Sequence, residues 1–573
     1  MRRICLAMAI VCQLAFGTLY LLRTPVFEGP DENDHYYYAI HLAHTKTLPT
    51  VIGSHELTGL ESWREAGLGH HPPLYYAVVA GCLWLCDSTD LWPRFSMDGV
   101  PRDGPCKFRH GFDEIAPVSA EVAVFRMLRA LSLLCGVGSL LPTWRIALRI
   151  FPRSPGIAEA AALCLACVPQ WSFCHAVLDN GCLATLLAHA VLLVLVRAVA
   201  EQRLSTRSGV WLGLWLGLGL ITKLTVIALV PLAGVVIAYA AFAGRERRGE
   251  TLRSAVVAGL LVVFVSGWFF LRNHSLYGEW LGMNAHALAY AQSRVPAPLV
   301  AEPIEYWWKL VLVPLATSFV ANFGWMRVPA PDFVIGMAWI VIAVALAGFV
   351  ASRLRKQEAL RTGPSLFVLL LAIGLVSASV LKFNADYVQP QGRYLFAAAG
   401  PMLILFCAGL HAFGVPKVAL VLAPLSSGLV LALVFWPRFG LDPSTLDNGY
   451  EAVLHGGIRH VGTPAPGLSL LAPEPGTRCS EAPVFRFSIP PAEPLGGGYT
   501  IHAWSETGRI LFCTFELVGT SLAGEFPFPS GPWQQLPIGE TMHWRVRRIP
   551  NRAHHERWQD MPQSEVRTLV RIR

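Results

Sequence analysis

The feature that most constrains this chain is a recurrence of apolar runs, each nearly free of charge. Most are roughly 18 residues or longer, the length that carries a helix across a ~30 Å hydrocarbon core. Backbone inside hydrocarbon must satisfy its own hydrogen bonds, so such runs are helices. The sequence places about eleven of them, at 4–22, 125–146, 157–175, 182–199, 208–222, 224–243, 254–271, 333–351, 365–381, 395–412 and 416–436. Composition agrees: charged residues make up 15% of the 573 and mean hydropathy is +0.46, where a soluble domain carries about 25% charge. The net charge of +8 does not point to nucleic acid, because the arginines are dispersed among the spans. Arg2 and Arg3 lead the first run, but no Ala-x-Ala-like site follows it and many further spans do. It reads as an uncleaved anchor rather than a signal peptide.

Charge then orients the bundle. With the N-terminus in the cytoplasm, the cytoplasmic connections are RIALRIFPRSPG (145–156), RAVAEQRLSTR (197–207), GRERRGETLR (244–253), SRLRKQEALR (352–361) and the short HAFGVPK from His411. All but the last are rich in arginine, as cytoplasmic loops are. The remaining loops fall outside: a long first loop (23–124), a middle loop (272–332), a short one around KFNADYVQPQGRY, and a tail. In the middle loop, EYWWKLVLVPLATSFVANFGWM is broken by Pro314 and Asn322, and reads as a helix lying in the interface. The tail, 437–573, is polar and rich in Pro and Gly, with strand-like runs such as PVFRFSIP and RILFCTFELVG. The expected architecture is an all-α polytopic membrane domain, 1–436, followed by a small β-rich extracytoplasmic domain. Cys479 and Cys513 are a candidate disulfide there. Most of the thirteen cysteines lie inside apolar runs, read as small hydrophobes, and carry no metal signature.

The outer loops hold the chemistry. FEGPDENDHYYY gathers Asp31, Glu32, Asp34 and His35 directly after the first span. Acidic residues behind Pro30 suit a helix start, where they cap free N–H groups and complement the dipole. On a helix Asp31 and His35 also share a face, and a carboxylate beside a histidine suits a general base. GHHPPLYY supplies His70, His71, Tyr75 and Tyr76, readable either as an interfacial helix with aromatic anchors or as ligand-positioning groups. A histidine pair of this kind more often hydrogen-bonds locally than holds metal. Cations stand at outer span ends: Arg126, Lys223, Arg272 and Arg393. Snorkelling explains any one of them, yet few cations are expected on this side. Lys223, between two spans with almost no loop, wants an anion. Asp179 in HAVLDNG reads by default as a turn or cap.

In order along residues 1–435, GPDENDH, HHPPLYY, FRMLRALSLLCG, CVPQWSFCHAVLDNG, GLGLITKLTV, LRNHSLYGEWLG, NFGWMRVP and QGRYLFAAAGP resemble the GT-C superfamily of membrane glycosyltransferases, in an uncharacterised bacterial branch. The resemblance implies a multi-pass inner (plasma) membrane enzyme that moves a sugar from a polyprenyl-phosphate donor to an extracytoplasmic glycan, lipid or protein acceptor, with inversion. Asp31 would be the catalytic base and Glu32 its assistant. Arg126, Lys223, Arg272 and Arg393 would bind the donor phosphate. His35, His71, Tyr75, Tyr277 and Gln391 would position substrate. No metal or cofactor is expected, since protein cations can neutralise the leaving phosphate. The branch leads one to expect Asn-Asp where this chain has Asp179–Asn180, and 87–114 reads as an insertion. A transporter or flippase of a lipid-linked glycan is the alternative. It would place ionisable groups at mid-membrane, whereas here they gather at one face.

Overall fold

A computed structural model describes residues 2–51, 68–86, 106–107, 120–289, 303–355, 357, 360, 363–414 and 416–439, and in the tail 469–481, 483–488, 498–505, 510–513, 523–527, 538–549 and 567–572. Among these residues, nine helices are long and apolar enough to cross a membrane. The protein is an integral membrane protein built mainly of helices, with small sheets at its C-terminal end. Nine of the eleven expected spans coincide with these helices. The other two are shorter. The run at 208–222 is α8 (Thr206–Leu220). The run at 157–175 is split into α5 (Gly156–Ala166) and α6 (Pro169–Cys174). Pro169 lacks the N–H a continuing helix needs and pushes Val168 into an extended conformation, so the helix breaks there.

The first loop is shaped by aromatic packing. α1 (Arg2–Arg23) ends at the turn that leads to α2 (Glu32–Thr45), and α3 (Leu74–Leu85) follows. Phe27 meets Phe125 of α4 (Ala120–Ile150) edge-on at 5.1 Å, and Tyr38 stacks on Tyr76 at 3.9 Å. These rings bury α2 and the apolar α3 against the bundle outside the hydrocarbon-length helices. α7 (Asn180–Glu201), α9 (Leu229–Ala243) and α10 (Arg248–Tyr277) complete the first half, and α11 (Met283–Ala289) follows α10.

The expected interfacial segment is helical from Pro303, passes through a widened turn at Tyr306–Leu312, and continues as α12 (Val313–Val320). It is not among the nine spans. A short hairpin, β1 (Asn322–Phe323) with β2 (Val328–Pro329), follows. The end of α12 presses on the segment that carries Arg393: the Gly392 N–H donates to Ser318 Oγ at 2.8 Å, and a Cβ at Gly392 would lie 2.2 Å from the Phe319 nitrogen. Only glycine fits such an approach. α13 (Asp332–Leu354), α14 (Ser365–Asp386), α15 (Ala399–His411) and α16 (Pro416–Val430) close the bundle.

The tail has the expected β character. β4 (Thr477–Cys479), β6 (Gly498–Ser505), β7 (Ile510–Cys513), β9 (Thr541–Ile549) and β10 (Arg567–Arg571) form a sheet ordered β4-β10-β9-β6-β7. β3 (Ser469–Ala472), β5 (Val484–Ser488) and β8 (Ala523–Pro527) form a second, antiparallel sheet. Phe485 and Trp544, one from each sheet, stack at 4.2 Å in the core. Cys479 is a free thiol, and the Cys513 side chain lies outside the described residues. Of the insertion at 87–114, only Cys106 and Lys107 are described.

Candidate active site

The acidic motif is held in place by an ion pair fully enclosed in protein. Glu32 and Arg129 are both 0% exposed. Arg129 donates its Nε and Nη2 protons to the two Glu32 oxygens at 2.7 Å, and its other N–H groups to the carbonyls of Leu21, Thr24 and Pro25. Glu32 also accepts from the backbone N–H of Gly29 and of Leu178. A buried pair is tolerable only when its donors and acceptors are this well satisfied. The pair joins the end of α1, the acidic turn, α4 and the loop before α7. Gly29 lets that loop approach: a Cβ there would lie 2.6 Å from Val177 Cβ. Glu32, expected to assist the base, is therefore turned inward and fixes the backbone that carries Asp31.

Asp31 itself has φ +59°, the left-handed region that short polar residues tolerate best. Non-glycine residues held there concentrate at functional sites. Its side chain is 33% exposed, and its Oδ2 accepts from Arg393 Nη2. Arg393 is 4% exposed and spends further donors on Asp179 Oδ2 at 2.8 Å, the Pro30 carbonyl and Gln391 Oε1. Asp179 takes the Gly181 N–H at 2.6 Å, which makes it the cap of α7, and receives Lys223 Nζ at 3.3 Å. Two carboxylates and two cations thus form one cluster, and Asp179, Lys223 and Arg393 of it line a small cleft together with His175, Gly181 and Tyr394.

The charges set the protonation states. Burial would raise the Asp31 carboxyl, but Arg393, with a smaller effect from His35, holds it below the usual carboxylate range. Burial likewise opposes ionisation of Asp179, and Lys223 and Arg393 outweigh it. Asp34 behaves oppositely: burial and the neighbouring Asp31 charge push it up to about 7. Burial pushes His35 down to about 4, so it is neutral at pH 7 and its contact with Asp179 at 3.5 Å is no ion pair. With its Nε2–H turned to Asp179, His35 Nδ1 accepts from the Tyr76 hydroxyl at 2.9 Å. That oxygen accepts in turn from Asn180 Nδ2 at 3.0 Å and from His71 Nδ1 at 3.3 Å.

Of the residues expected from sequence, Asp31, Lys223, Arg393, Gln391, His35 and His71 are brought together. Arg272 and Tyr277 stand beside them: Arg272 donates to the Pro49 carbonyl at 2.6 Å, and Tyr277 accepts from the Val51 N–H at 3.1 Å. Arg126 is half-buried on α4, and it is Arg129, nearly one turn on, that enters the acidic turn. Tyr75 is fully buried against Ser132 of α4 at 2.8 Å, so its neighbour Tyr76 faces the site. Four groups were not among the expected site residues: Arg129, Asp179, Tyr76 and Asn180. Each sits inside a quoted motif; Arg129 and Tyr76 lie three residues and one residue from a chosen position, whereas no chosen position lies near Asp179 and Asn180.

Fold and site together define an integral membrane protein whose ionisable groups converge on a cleft at one end of its helix bundle. Residues 120–269 match the family described as dolichyl-phosphate-mannose-protein mannosyltransferase, a GT-C family. No curated protein matches the chain. Among solved structures, the chain is similar to the oligosaccharyltransferase of Archaeoglobus fulgidus in complex with zinc and sulfate, at 15% identity and TM-score 0.41 over 79% of this chain and 55% of that one. It is also similar to ArnT of Cupriavidus metallidurans bound to undecaprenyl phosphate, at 14% identity and TM-score 0.33 over 82% of each chain. Arabinosyltransferase EmbB of Mycobacterium smegmatis matches at 12% identity and TM-score 0.38, over 98% of this chain and 62% of that one. The chain spans about half the length of the archaeal oligosaccharyltransferase. Scores of this size leave the function to the chemistry of the cleft.

Proposed function

We propose that the protein is a membrane glycosyltransferase that moves a sugar from a polyprenyl-phosphate donor to an extracytoplasmic acceptor, with inversion. One observation carries the reading: Asp31 is a partly exposed carboxylate oriented through one oxygen by a buried arginine, which Asp179 links in turn to Lys223. The family match over 120–269, with its lipid-phosphate donor, supports the same donor class. Asp31 takes the proton of the acceptor hydroxyl as that oxygen attacks the anomeric carbon. The bond from that carbon to the phosphate oxygen breaks, and the electron pair leaves with the polyprenyl phosphate. Lys223, whose side chain is 16% exposed and contacts Asp179 at 3.3 Å, neutralises charge growing on that phosphate. Arg272 extends the cationic lip.

Arg393 has a different part. Four of its five N–H groups are committed to Asp179, Asp31, Pro30 and Gln391, so it aims the base rather than binding phosphate. The reaction needs no metal at the phosphate, because cations of the protein already face it.

The test is single-turnover transfer from a polyprenyl-phosphate sugar by the purified protein in lipid. Asp31→Asn should lower the rate by about a thousandfold or more, with donor affinity within about twofold of wild type. Turnover near wild type would overturn the assignment of the base. Translocation of the intact donor across the membrane, without sugar release, would favour a flippase instead.

A further inference from the structure

The histidines of GHHPP remain to be explained beyond the link from His71 to Tyr76. Three imidazoles converge there from two loops. His70 and His71 precede α3, and His286 lies on α11, in the middle loop. One ligand nitrogen of each lies within 4.8 Å of the other two, and His70 Nε2 stands 3.1 Å from His286 Nδ1. We propose that His70, His71 and His286 bind one divalent transition-metal ion of the zinc type, which ties the first extracytoplasmic loop to the middle one.

Four observations support this. The first is spacing. Zinc binds imidazole nitrogen at about 2.0–2.1 Å, which separates tetrahedral ligands by roughly 3.4 Å. The His70–His286 pair already stands near that distance, and ring rotation of about 1 Å closes the third. The second is burial. His70 and His286 are 3% and 7% exposed, and a shielded site limits competition from water for the ligand nitrogens. The third is orientation. Metal-bound histidines commonly use their second nitrogen in a hydrogen bond that fixes the ring. His71 uses Nδ1 toward Tyr76, which leaves Nε2 with the lone pair.

The fourth is rigidity. Pro72 and Pro73 follow the pair, the Leu74 N–H donates to the Ile221 carbonyl at 2.9 Å, and His286 stands edge-on to Tyr387 at 4.6 Å. A donor set of nitrogens without carboxylate selects zinc-type ions over magnesium, calcium or manganese. Three protein ligands leave a fourth position for water. The bland alternative is a hydrogen bond between His70 and His286 with His71 merely adjacent. It predicts no metal.

The experiment uses the full chain, tag removed, purified in detergent, stripped with chelator and dialysed against micromolar zinc. Elemental analysis should find about one zinc per chain, and Co(II) in its place should give the absorption of a four-coordinate nitrogen site. His70→Asn and His286→Asn, checked as monodisperse by gel filtration, should each lower bound zinc at least tenfold. Absence of stoichiometric zinc in the wild type, or full zinc in either folded variant, overturns the site, as does equal stabilisation by magnesium. If both variants misfold, the Co(II) titration of the wild type decides alone. Metal content is read independently of sugar transfer, so failure here and failure of the proposed activity are distinguishable.

Discussion

Asp31 and Asp34 stand three positions apart, and their surroundings push their carboxyls in opposite directions: Arg393 holds Asp31 down, while burial and the Asp31 charge lift Asp34 to about 7. Two acids separated in this way usually take different roles. As pH rises through neutrality, Asp34 loses its proton and its charge makes Asp31 more basic. We therefore expect kcat/KM to climb between about pH 6 and 8, and Asp34→Asn to flatten the climb while leaving transfer measurable. A step that persists in that variant assigns the titration to another group. Lys223 should separate from Arg393 in the same assay. Lys223→Ala should weaken donor binding about tenfold, ~1.4 kcal/mol, because it removes a charge facing the phosphate. Arg393→Ala should act on kcat through the misplaced base; a change confined to donor affinity would return Arg393 to the phosphate. Asp31 was legible in the sequence because four polar groups crowd one short stretch. Asp179 was not, because capping α7 through the Gly181 N–H is also true of it, and no local pattern reveals that its other oxygen meets Arg393 from 214 positions away.

At the scale of elements, the acidic turn is positioned by the Glu32–Arg129 pair rather than by its own hydrogen bonds. Asp31 begins α2 without a side-chain cap bond, so the helix start is fixed from outside. Arg129→Ala would leave the Glu32 carboxylate buried without its partner, a loss of about 3–5 kcal/mol. Thermal unfolding in detergent should show a large fall in Tm, and the paired change Glu32→Leu with Arg129→Met should recover most of it. A fall in the pair equal to that in Arg129→Ala would mean that shape, not charge, is what the site needs. The residue period already contained Arg129 on the helix predicted at 125–146. Nothing in the period distinguished it from Arg126, since either arginine can snorkel at a span end; the choice depends on a carboxylate 97 positions away. The break of the 157–175 run at Pro169 was readable from proline chemistry alone. The short α6 that Pro169 starts ends at Cys174, and the loop after it leads to Asp179 at the start of α7.

Across the whole molecule, the apolar runs and their order were legible because each span is local, while the meeting of distant loops was not. The site residues come from the ends of α1, α8 and α10 and from the starts of α7 and the Arg393 segment. An alternating path in which α5–α6 and α8 also cross the bilayer puts all of these ends on one side, and the contacts among their residues agree with that parity. The arginine-rich loops 145–156, 197–207, 244–253 and 352–361 fall on the other side. By the positive-inside rule we expect an N-terminus in the cytoplasm and a cleft outside. Single cysteines introduced at 153, 247 and 355 in a background without exposed thiols should react with a membrane-impermeant maleimide only after the inner membrane is opened. A cysteine at 274, next to the cationic lip, should react in intact spheroplasts. The reverse pattern would place the cleft in the cytoplasm and remove the reason for the uneven arginine count. It would also make an outward acceptor untenable, because acceptor, donor headgroup and Asp31 must share one compartment for the proton to pass.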